Sequence, residues 1–472
     1  MADQTQKLHI AMLPWPAFGH MIPLLDLAKN IAQKGHRVSY LATPRNIQRL
    51  PKLPPFLADS ITFVQLPLLN DNSLPENAEA TMDIPPHNML DLKRAYHGLQ
   101  EDVAQFLENS TPDWIIYDIF AYWLPPIAAK LGISRGFFST NNAWNMSFIG
   151  SSIPEIKAKY DPPTKPDDMT VPPKWVTFPT SAMFRLFEAK DYFFYKSFND
   201  SNFTEHNLAV FGCEVIIVRS CMELEPEWLK LLKELHQKPV VPVGLLPPTM
   251  QVRRHDHKDD TWDTIVEWLD KQEKGSVVYV ALGSEVRPSQ ENLNELALGL
   301  ELSGLPFFWA LRKRSILGDS DSTELPDGFE DRIKGRGVVY TNWVPQLKIL
   351  AHDSVGGFLT HNGWSSVIEG LYCARPLIML PYSLDQGLNA RILEEKKVGV
   401  EVPRNEQDGS FTRNVVANSL KLVMLDDDGK IYWKGARKMS LLFGDKDLHY
   451  QHMDKLIEFL EKNRSFGRAK LH

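Results

Sequence analysis

Short apolar runs alternate with longer amphipathic stretches in both halves of the chain, a pattern typical of parallel α/β units. In the first half, the runs predicted to be strands are Leu8–Pro14, Arg37–Thr43, Ile61–Pro67, Trp114–Asp118 and Ser134–Thr140. In the second half, they are Ser276–Leu282, Phe307–Leu311, Val338–Thr341, Val355–Thr360 and Pro376–Pro381. Helical periodicity marks the stretches between them, for example Pro23–Lys34, Leu92–Glu108, Gln290–Gly304 and Leu448–Asn463.

A break in this pattern separates the two halves. A Pro-rich passage, residues 239–248, leads into a charged stretch, residues 251–260, which is typical of a linker. We therefore predict a first domain over residues 1–245, a linker over 246–260 and a second domain over 261–440. A C-terminal helical segment, 441–472, is expected to pack back on the first domain. The 472 residues suit two doubly wound domains facing each other across a cleft.

Composition and charge narrow the class of partner. The formal net charge is −7 and no basic tract interleaves with aromatic residues, which argues against nucleic acid. Three cysteines without paired spacing suit a reducing compartment. The apolar run after the polar start is too short for a signal sequence or a membrane span. We expect a cytoplasmic monomer.

The segment that follows the fourth strand of the second half has the chemistry of an anion site. His361 ends an apolar strand, and Gly363 and Trp364 open the next helix. A helix N-terminus offers free N–H groups and a positive dipole end, which suit a diphosphate. The hydroxyls of Ser365 and Ser366 add donors at the same place.

Four further polar or flat side chains lie where a nucleotide sugar could use them. Glu369 shares a helix face with the two serines and could accept ribose hydroxyls. Trp343 could stack on a base, while Asp385 and Gln386 follow a strand end and could hold a sugar ring. Each residue alone has an ordinary alternative as a solvated helix position, a core tryptophan or a cap. Their joint occurrence favours a nucleotide-sugar site.

A base is predicted in the first half. His20 follows the first strand and Asp118 ends the fourth, and these strands are neighbours in a doubly wound sheet. A carboxylate there would fix the imidazole tautomer and leave the other nitrogen free as a base. The pair alone fits equally well with a helix-start histidine and a strand-end cap.

The segment Trp343–Gln386 closely resembles the signature box of plant family 1 UDP-glycosyltransferases and has the box's length of 44 residues. The resemblance extends over nearly the whole chain and implies the GT-B fold. It implies that His20 is the catalytic base and Asp118 its partner. It also implies a donor site made of Thr140, Ser284, Trp343, Val344, Gln346, His361, Gly363, Trp364, Ser365, Ser366, Glu369, Asp385 and Gln386. Two positions depart from the box: Asn362 and Ser365 stand where the family commonly has Cys and Asn.

The resemblance further implies an inverting, metal-independent transfer with UDP-sugar as co-substrate and no cofactor. Gln386 favours glucose as the sugar, with UDP-rhamnose as an alternative donor. The acceptor is expected to be a small apolar molecule, an already glycosylated terpenoid or flavonoid, because stretches such as residues 15–20, 172–175 and 240–248 resemble the branch that extends existing glycosides. A UDP-sugar epimerase of the same fold remains the rival class.

Other motifs are interpreted more simply. The Asp-x-Asp match at Asp319–Asp321, the run Asp426–Asp428 and His255–His257 lie in polar or linker stretches, so no metal site is predicted. Aromatic residues between Ser181 and Phe203, such as Phe184, mostly suit a helical core. A few of them, together with Trp144, are candidates for an apolar acceptor pocket.

Overall fold

Seven parallel strands form the first of two sheets in the computed structural model, which describes residues 7–69, 73–160, 162–198, 200–248, 260–311 and 324–464. Its spatial order is β3-β2-β1-β4-β5-β6-β7. The strands are β1 His9–Leu13, β2 Arg37–Ala42, β3 Ile61–Gln65, β4 Trp114–Tyr117, β5 Ser134–Ser139, β6 Val215–Val218 and β7 Val240–Pro242. The central strands are buried along their whole length, as expected where helices cover both faces of a parallel sheet.

Six parallel strands form the second sheet, in the order β10-β9-β8-β11-β12-β13. They are β8 Val277–Ala281, β9 Phe307–Ala310, β10 Gly337–Tyr340, β11 Val355–Thr360, β12 Leu377–Met379 and β13 Gly399–Glu401. In both sheets the chain reverses its direction of winding beside the first strand, which creates a crevice at the carboxyl edge.

Helices connect the strands on both faces of each sheet. Those in the first half are α1 Phe18–Gln33, α2 Pro44–Arg49, α3 Met89–His97, α4 Gln100–Ser110, α5 Leu124–Lys130, α6 Ala143–Ile149, α7 Pro154–Lys159, α8 Leu186–Phe198, α9 Asp200–Gly212 and α10 Pro226–His236. Those in the second half are α11 Asp260–Asp270, α12 Gln290–Ser303, α13 Phe329–Ile333, α14 Gln346–Ala351, α15 Trp364–Tyr372, α16 Leu384–Glu395, α17 Arg413–Met424, α18 Lys430–Phe443 and α19 Lys446–Lys462.

The predicted GT-B architecture of two doubly wound α/β units is confirmed, and all ten predicted strands form. Three short strands were not predicted: β6, β7 and β13. Strand β7 lies inside the Pro-rich passage, where Pro242 is tolerated because the strand is at the sheet edge. The helix predicted over Leu92–Glu108 is two helices, α3 and α4, that meet at the weak helix former Gly98.

The C-terminal helix α19 lies against the first sheet although it follows the second in sequence. The indole Nε1 of Trp114 in β4 donates to the carbonyl of Leu460, 3.0 Å away. Met453 and Leu456 belong to the same buried cluster as Ile10 of β1. The domain boundaries given above stay predictions, and most of the predicted linker, residues 249–259, lies outside the described residues.

Asn389 of α16 joins the two halves through one buried amide. Its Oδ1 accepts from Asn142 Nδ2 and Trp144 Nε1 at 2.8 Å and from Asn145 Nδ2 at 3.0 Å. Its Nδ2 donates to the carbonyl of Asn362 at 3.0 Å. Thus α6 of the first half is fixed to the turn before α15 of the second.

A buried ionic cluster makes a second connection between the halves. Arg391 of α16 pairs with Glu188 of α8 and, at 3.3 Å, with Glu401 of β13. Arg185, just before α8, also reaches Glu401, at 2.9 Å. Because each buried charge has an opposite partner, the cost of desolvating the cluster is offset.

We expect Asn389→Ala to lower the free energy of unfolding by about 2–4 kcal/mol, because three buried N–H donors lose their acceptor. Urea unfolding measures the change. Asn414→Ala, at an exposed position of α17, is the control and should change stability by less than about 0.5 kcal/mol. Equal losses in the two variants would contradict the importance assigned to Asn389.

Candidate active site

His20 and Asp118 meet at the carboxyl edge of the first sheet. Strands β1 and β4 pair with Leu13 opposite Tyr117, so the residues that follow them are brought side by side. His20 lies in the first turn of α1, and its Nδ1 is 2.6 Å from Asp118 Oδ2. The carboxylate also accepts from the main-chain N–H groups of Ile119 at 2.7 Å and Trp15 at 3.3 Å.

These contacts define the state of the imidazole. The Asp118 side chain is 1% exposed and that of His20 is 26% exposed. Since an ionised carboxylate only accepts, Nδ1 carries the hydrogen and Nε2 is left as the basic nitrogen. Burial, the largest single influence, would lower the pKa of His20, but the Asp118 carboxylate opposes it, and the net effect of the surrounding carboxylates raises the pKa above its usual value. The charges of Asp385 and Glu285, both from the second half, act in the same direction across the cleft.

His361 lies at the carboxyl edge of the second sheet, one residue after β11. Its ring fills the space above Gly283 and Gly363: a Cβ at these positions would be 2.6 Å and 2.5 Å from ring atoms. Gly283 also has φ +76°, which favours glycine. Burial lowers the pKa of His361 to about 4, so the imidazole is neutral at pH 7. Its buried Nδ1 has no hydrogen-bond partner within the described part of the chain.

The turn between His361 and α15 depends on Asn362. This residue has φ +70°, in the left-handed region that Asn tolerates better than most side chains. Its N–H donates to Thr360 Oγ1 at 3.2 Å, and its carbonyl accepts from Asn389. Asn362, one of the two departures from the family box, therefore shapes the start of α15.

The residue predicted to bind ribose, Glu369, is held by a hydrogen bond from Gln346, one of the residues predicted to bind the nucleoside. Glu369 Oε2 accepts from Gln346 Nε2 at 2.7 Å, and Tyr279 Oη donates to Gln346 Oε1 at 3.2 Å. Burial raises the pKa of Glu369. The indole of Trp343 is 64% exposed, beside the buried Val344. An exposed tryptophan three residues before Gln346, the residue that holds the Glu369 carboxylate, suits the binding of a nucleoside.

Asp385 and Gln386 open helix α16. Gln386 Oε1 accepts from the N–H groups of Tyr382 at 2.9 Å and Ser383 at 3.1 Å, so this side chain caps the helix. Burial raises the pKa of Asp385, and the nearby His20 opposes that rise. Asp385 therefore lies at the part of the second half that approaches the imidazole.

The remaining predicted contacts are distributed around the cleft. Thr140 is buried directly after β5, at the same sheet edge as Asp118. Ser284 follows β8, and its Oγ donates to Glu285 Oε1 at 3.3 Å. Ser366 is buried in the first turn of α15. The Trp364 side chain is buried against Trp144, which leaves its main-chain N–H at the helix start.

Some candidates lie elsewhere. Phe184 and Trp144 are 1% and 0% exposed, so both belong to the core and not to an acceptor pocket. Asp426–Asp428 is exposed, whereas Asp319–Asp321 and His255–His257 lie outside the described residues. Within the described ranges, no group of three or more His, Cys, Asp or Glu side chains could hold a metal ion.

Arg219 was missed from the sequence because β6 was not predicted. It follows β6 directly, as Asp118 follows β4, and its Nη1 donates to Ser365 Oγ at 2.7 Å. Its carbonyl accepts from Trp364 Nε1 at 3.0 Å. Recognising the apolar run Val215–Val218 as a strand would have placed Arg219 at the sheet edge.

An imidazole–carboxylate pair lies at the carboxyl edge of one sheet, and a helix start, an exposed tryptophan and a buried carboxylate follow strands of the other. These features are typical of a nucleotide-sugar-dependent glycosyltransferase of the GT-B fold.

Comparisons with known proteins identify the family. Residues 175–461 match the family described as UDP-glucoronosyl and UDP-glucosyl transferase, and residues 6–158 match the glycosyltransferase N-terminal domain. The chain is 50% identical to UDP-glycosyltransferase 91A1 of Arabidopsis thaliana over 468 residues, which cover 97% of each protein. It is 44% identical to Soyasaponin III rhamnosyltransferase of Glycine max, with coverage of 98% of this chain and 97% of the relative.

Among solved structures, Phytolacca americana UGT2 complexed with UDP-2fluoro-glucose and pterostilbene matches with a TM-score of 0.73 and 27% identity. The match covers 96% of this chain and 99% of that one. The chain belongs to the plant family 1 UDP-glycosyltransferases and transfers a sugar from a UDP-sugar to a small-molecule acceptor.

None of the described helices is long and apolar enough to cross a membrane.

We expect NMR titration of the His20 ring to give a pKa above 6.5, and Asp118→Asn to lower it, because burial then acts without the opposing carboxylate. His361, which titrates near 4, is the internal control and should not shift in this variant. An unchanged His20 pKa in Asp118→Asn would show that the carboxylate does not control the imidazole.

Proposed function

We propose that this chain is an inverting, metal-independent hexosyltransferase in which His20 is the catalytic base and Asp118 its partner. The observation that carries the proposal is the 2.6 Å contact between His20 Nδ1 and Asp118, at a cleft whose other wall bears Asp385 and the start of α15. A buried carboxylate stabilises the imidazolium that forms when Nε2 takes a proton.

In this mechanism the acceptor hydroxyl attacks the anomeric carbon of the donor. The C–O bond to the acceptor forms as the bond to the β-phosphate oxygen breaks, and the hydroxyl proton passes to His20 Nε2. UDP leaves with the electron pair, and the N–H groups at the start of α15 and the Ser366 hydroxyl stabilise its added charge. A single displacement inverts the anomeric configuration, so an α-linked donor yields a β-glycoside. No step requires a metal ion.

The donor site is assigned residue by residue. Trp343 stacks on uracil with Val344 and Gln346 beside it, and Glu369 binds the ribose. His361, Gly363, Ser365, Ser366 and Ser284 hold the diphosphate. Trp364, Asp385, Gln386 and Thr140 contact the sugar. The chain of bonds from Tyr279 through Gln346 to Glu369 supports the ribose assignment, because it holds the carboxylate in a fixed position on α15.

UDP-glucose is the proposed donor, since two adjacent polar side chains, Asp385 and Gln386, can hold two neighbouring equatorial hydroxyls. UDP-rhamnose is the alternative, and its support is the relative named Soyasaponin III rhamnosyltransferase, at 44% identity.

The proposed acceptor is an already glycosylated apolar metabolite. A partly buried aromatic ring near the base supports it: Phe120, two residues after Asp118, lies with its ring 4.6 Å from that of the buried Trp15. Trp15 also donates its N–H to Asp118, so these rings adjoin the catalytic pair. Saponins are terpenoid or steroid glycosides, so the named relative supports the same acceptor class. A monomeric state and a cytoplasmic location stay predictions.

We expect the protein, incubated with UDP-glucose and a panel of terpenoid and flavonoid glycosides, to add one hexose mass to an acceptor, also in excess EDTA. His20→Ala should lower the rate by about 10²–10⁴-fold while UDP binding survives, because the base acts on the acceptor. Mass spectrometry and UDP titration provide the two readouts. Near-normal turnover by His20→Ala would refute the base assignment, and loss in EDTA restored by manganese would refute metal independence.

We expect UDP-glucose to be preferred over UDP-galactose by about ten- to a hundredfold, because the inverted 4-hydroxyl leaves buried polar groups unpaired. Gln386→Ala should reduce this preference. Gln386→Glu is the matched variant, because it keeps an oxygen that can cap α16 but replaces the amide N–H donors by a charged oxygen that cannot donate. Glu369→Ala should instead weaken all UDP-sugars alike.

The measurement is kcat/KM for UDP-glucose, UDP-galactose and UDP-rhamnose on the wild type and these variants. Preference for UDP-rhamnose on the wild type would overturn the glucose assignment. Unchanged sugar ratios in both Gln386 variants would remove that side chain from sugar recognition.

A further inference from the structure

The buried cation Arg219, from the first half of the chain, lies at the start of α15, the helix proposed to bind the diphosphate of the donor. The Arg219 side chain is 4% exposed, and its guanidinium donates to three oxygens. These are Ser365 Oγ at 2.7 Å, the carbonyl of Leu245 at 2.9 Å and the carbonyl of Leu246 at 3.3 Å. All three acceptors are neutral.

No carboxylate of the described residues forms an ion pair with this guanidinium. Asp26 and Glu369 are the carboxyls whose charges influence it, from beyond ion-pair distance. Burial lowers the pKa of Arg219 to about 10, which still leaves it charged at pH 7. A buried cation without a counter-ion is costly, so this position suits a site where an anion is the normal ligand.

In the hydrogen bond between Arg219 and Ser365, the donor and the acceptor are fixed by chemistry. Arginine has no acceptor, so Ser365 Oγ must accept in this bond, and its own hydrogen points elsewhere. No acceptor for that hydrogen is found among the residues that the structure describes. Ser365 lies in the first turn of α15, where the main-chain N–H groups are also free. A hydroxyl polarised by a cation is a stronger donor than a hydroxyl alone.

We propose that Arg219 is a positioning residue of the donor site, which holds the Ser365 hydroxyl as a donor to the diphosphate of UDP-sugar and places a positive charge beside that diphosphate. This inference rests on the proposed donor site at α15. It gives the departure from the family box a physical reason. A serine reaches less far than the usual asparagine, and the arginine compensates by polarising the hydroxyl and adding charge.

The same side chain connects donor binding to the arrangement of the two halves. The carbonyls of Leu245 and Leu246 lie just after β7, where the chain leaves the first sheet. Arg219 holds these carbonyls and Ser365 at once, and its own carbonyl accepts from Trp364 Nε1. A diphosphate at the start of α15 would therefore lie beside the Arg219 guanidinium, whose position depends on contacts with both halves of the chain.

The test compares binding of UDP and uridine, which differ in the diphosphate, by titration calorimetry. We expect Arg219→Met to weaken UDP by about ten- to a hundredfold and to leave uridine affinity little changed, because a charge-assisted interaction is lost. Arg219→Lys should have an intermediate effect, since it keeps the charge but not the planar fork. Equal weakening of UDP and uridine, or no weakening of UDP, would overturn the proposal.

A double-mutant cycle tests the route through the hydroxyl. Ser365→Ala should weaken UDP, and Arg219→Met should cost less in the Ser365→Ala background than in the wild type. A second cycle combines Ser365→Ala with Arg219→Lys. It provides the same comparison if Arg219→Met does not fold. Strictly additive effects would overturn the role assigned to the contact.

Arg375→Met is the matched control. Arg375 is also bound to main-chain carbonyls, those of Leu350 at 2.7 Å and His352 at 3.0 Å, but it follows the opposite end of α15. We expect it to leave the ratio of UDP to uridine affinity unchanged. If the wild type transfers sugar and binds UDP more tightly than uridine, the proposed function stands even when the results for the Arg219 variants contradict the role inferred for Arg219. If the wild type does not bind UDP, both the proposed function and the role inferred for Arg219 are wrong.

Discussion

The site depends on one constraint: the carboxyl edges of two parallel sheets must face each other at a fixed separation. A parallel sheet delivers the residues that follow its strands to one edge, where the chain turns and polar groups are tolerated. One edge alone supplies either the base or the anion site. The amide of Asn389 and the ionic cluster around Arg391 hold the two edges together, and both belong to helix α16.

Helix α16 therefore has two functions. Its first turn carries Asp385, which lies close enough to influence the pKa of His20, and its second and third turns carry the groups that bind the first half. The turn before α15 is connected to the same helix, because Asn389 donates to the carbonyl of Asn362. A displacement of α16 would move both Asp385 and the start of α15. This coupling fixes the distance between His20 and the proposed donor site.

Two histidines in one cleft are held in different states by their surroundings. His20 is beside the buried Asp118 carboxylate, which with Asp385 and Glu285 raises its pKa despite burial, whereas His361 is packed against two glycines and burial lowers its pKa to about 4. The first is suited to exchange a proton with an acceptor. The second stays neutral, and a neutral ring can donate one hydrogen bond to a phosphate without binding a proton. Environment, and not residue type, separates the two roles.

Much of the architecture could be predicted from the sequence, because buried parallel strands require continuous apolar runs and the helices between them show a regular period. The neighbouring positions of His20 and Asp118 followed from strand order alone, since β1 and β4 adjoin in a doubly wound sheet. The strands β6, β7 and β13 were missed: β7 lies in the Pro-rich passage that leads into the predicted linker, and the short apolar runs of β6 and β13 do not by themselves distinguish a strand from a helix segment.

The contacts between the two halves were decided only by the tertiary structure. Arg219 and Ser365 are 146 residues apart, and Asn142 and Asn389 are 247 apart. No local pattern marks such pairs, because polar residues at these positions are equally compatible with solvent exposure. Gln386 illustrates the same limit within one helix: its predicted sugar contact came from its place at a strand end, whereas its capping bonds depend on the backbone path of Tyr382 and Ser383. Apolar periodicity determines which segments are buried, but the partner of a buried polar group is decided only when separate segments close around it.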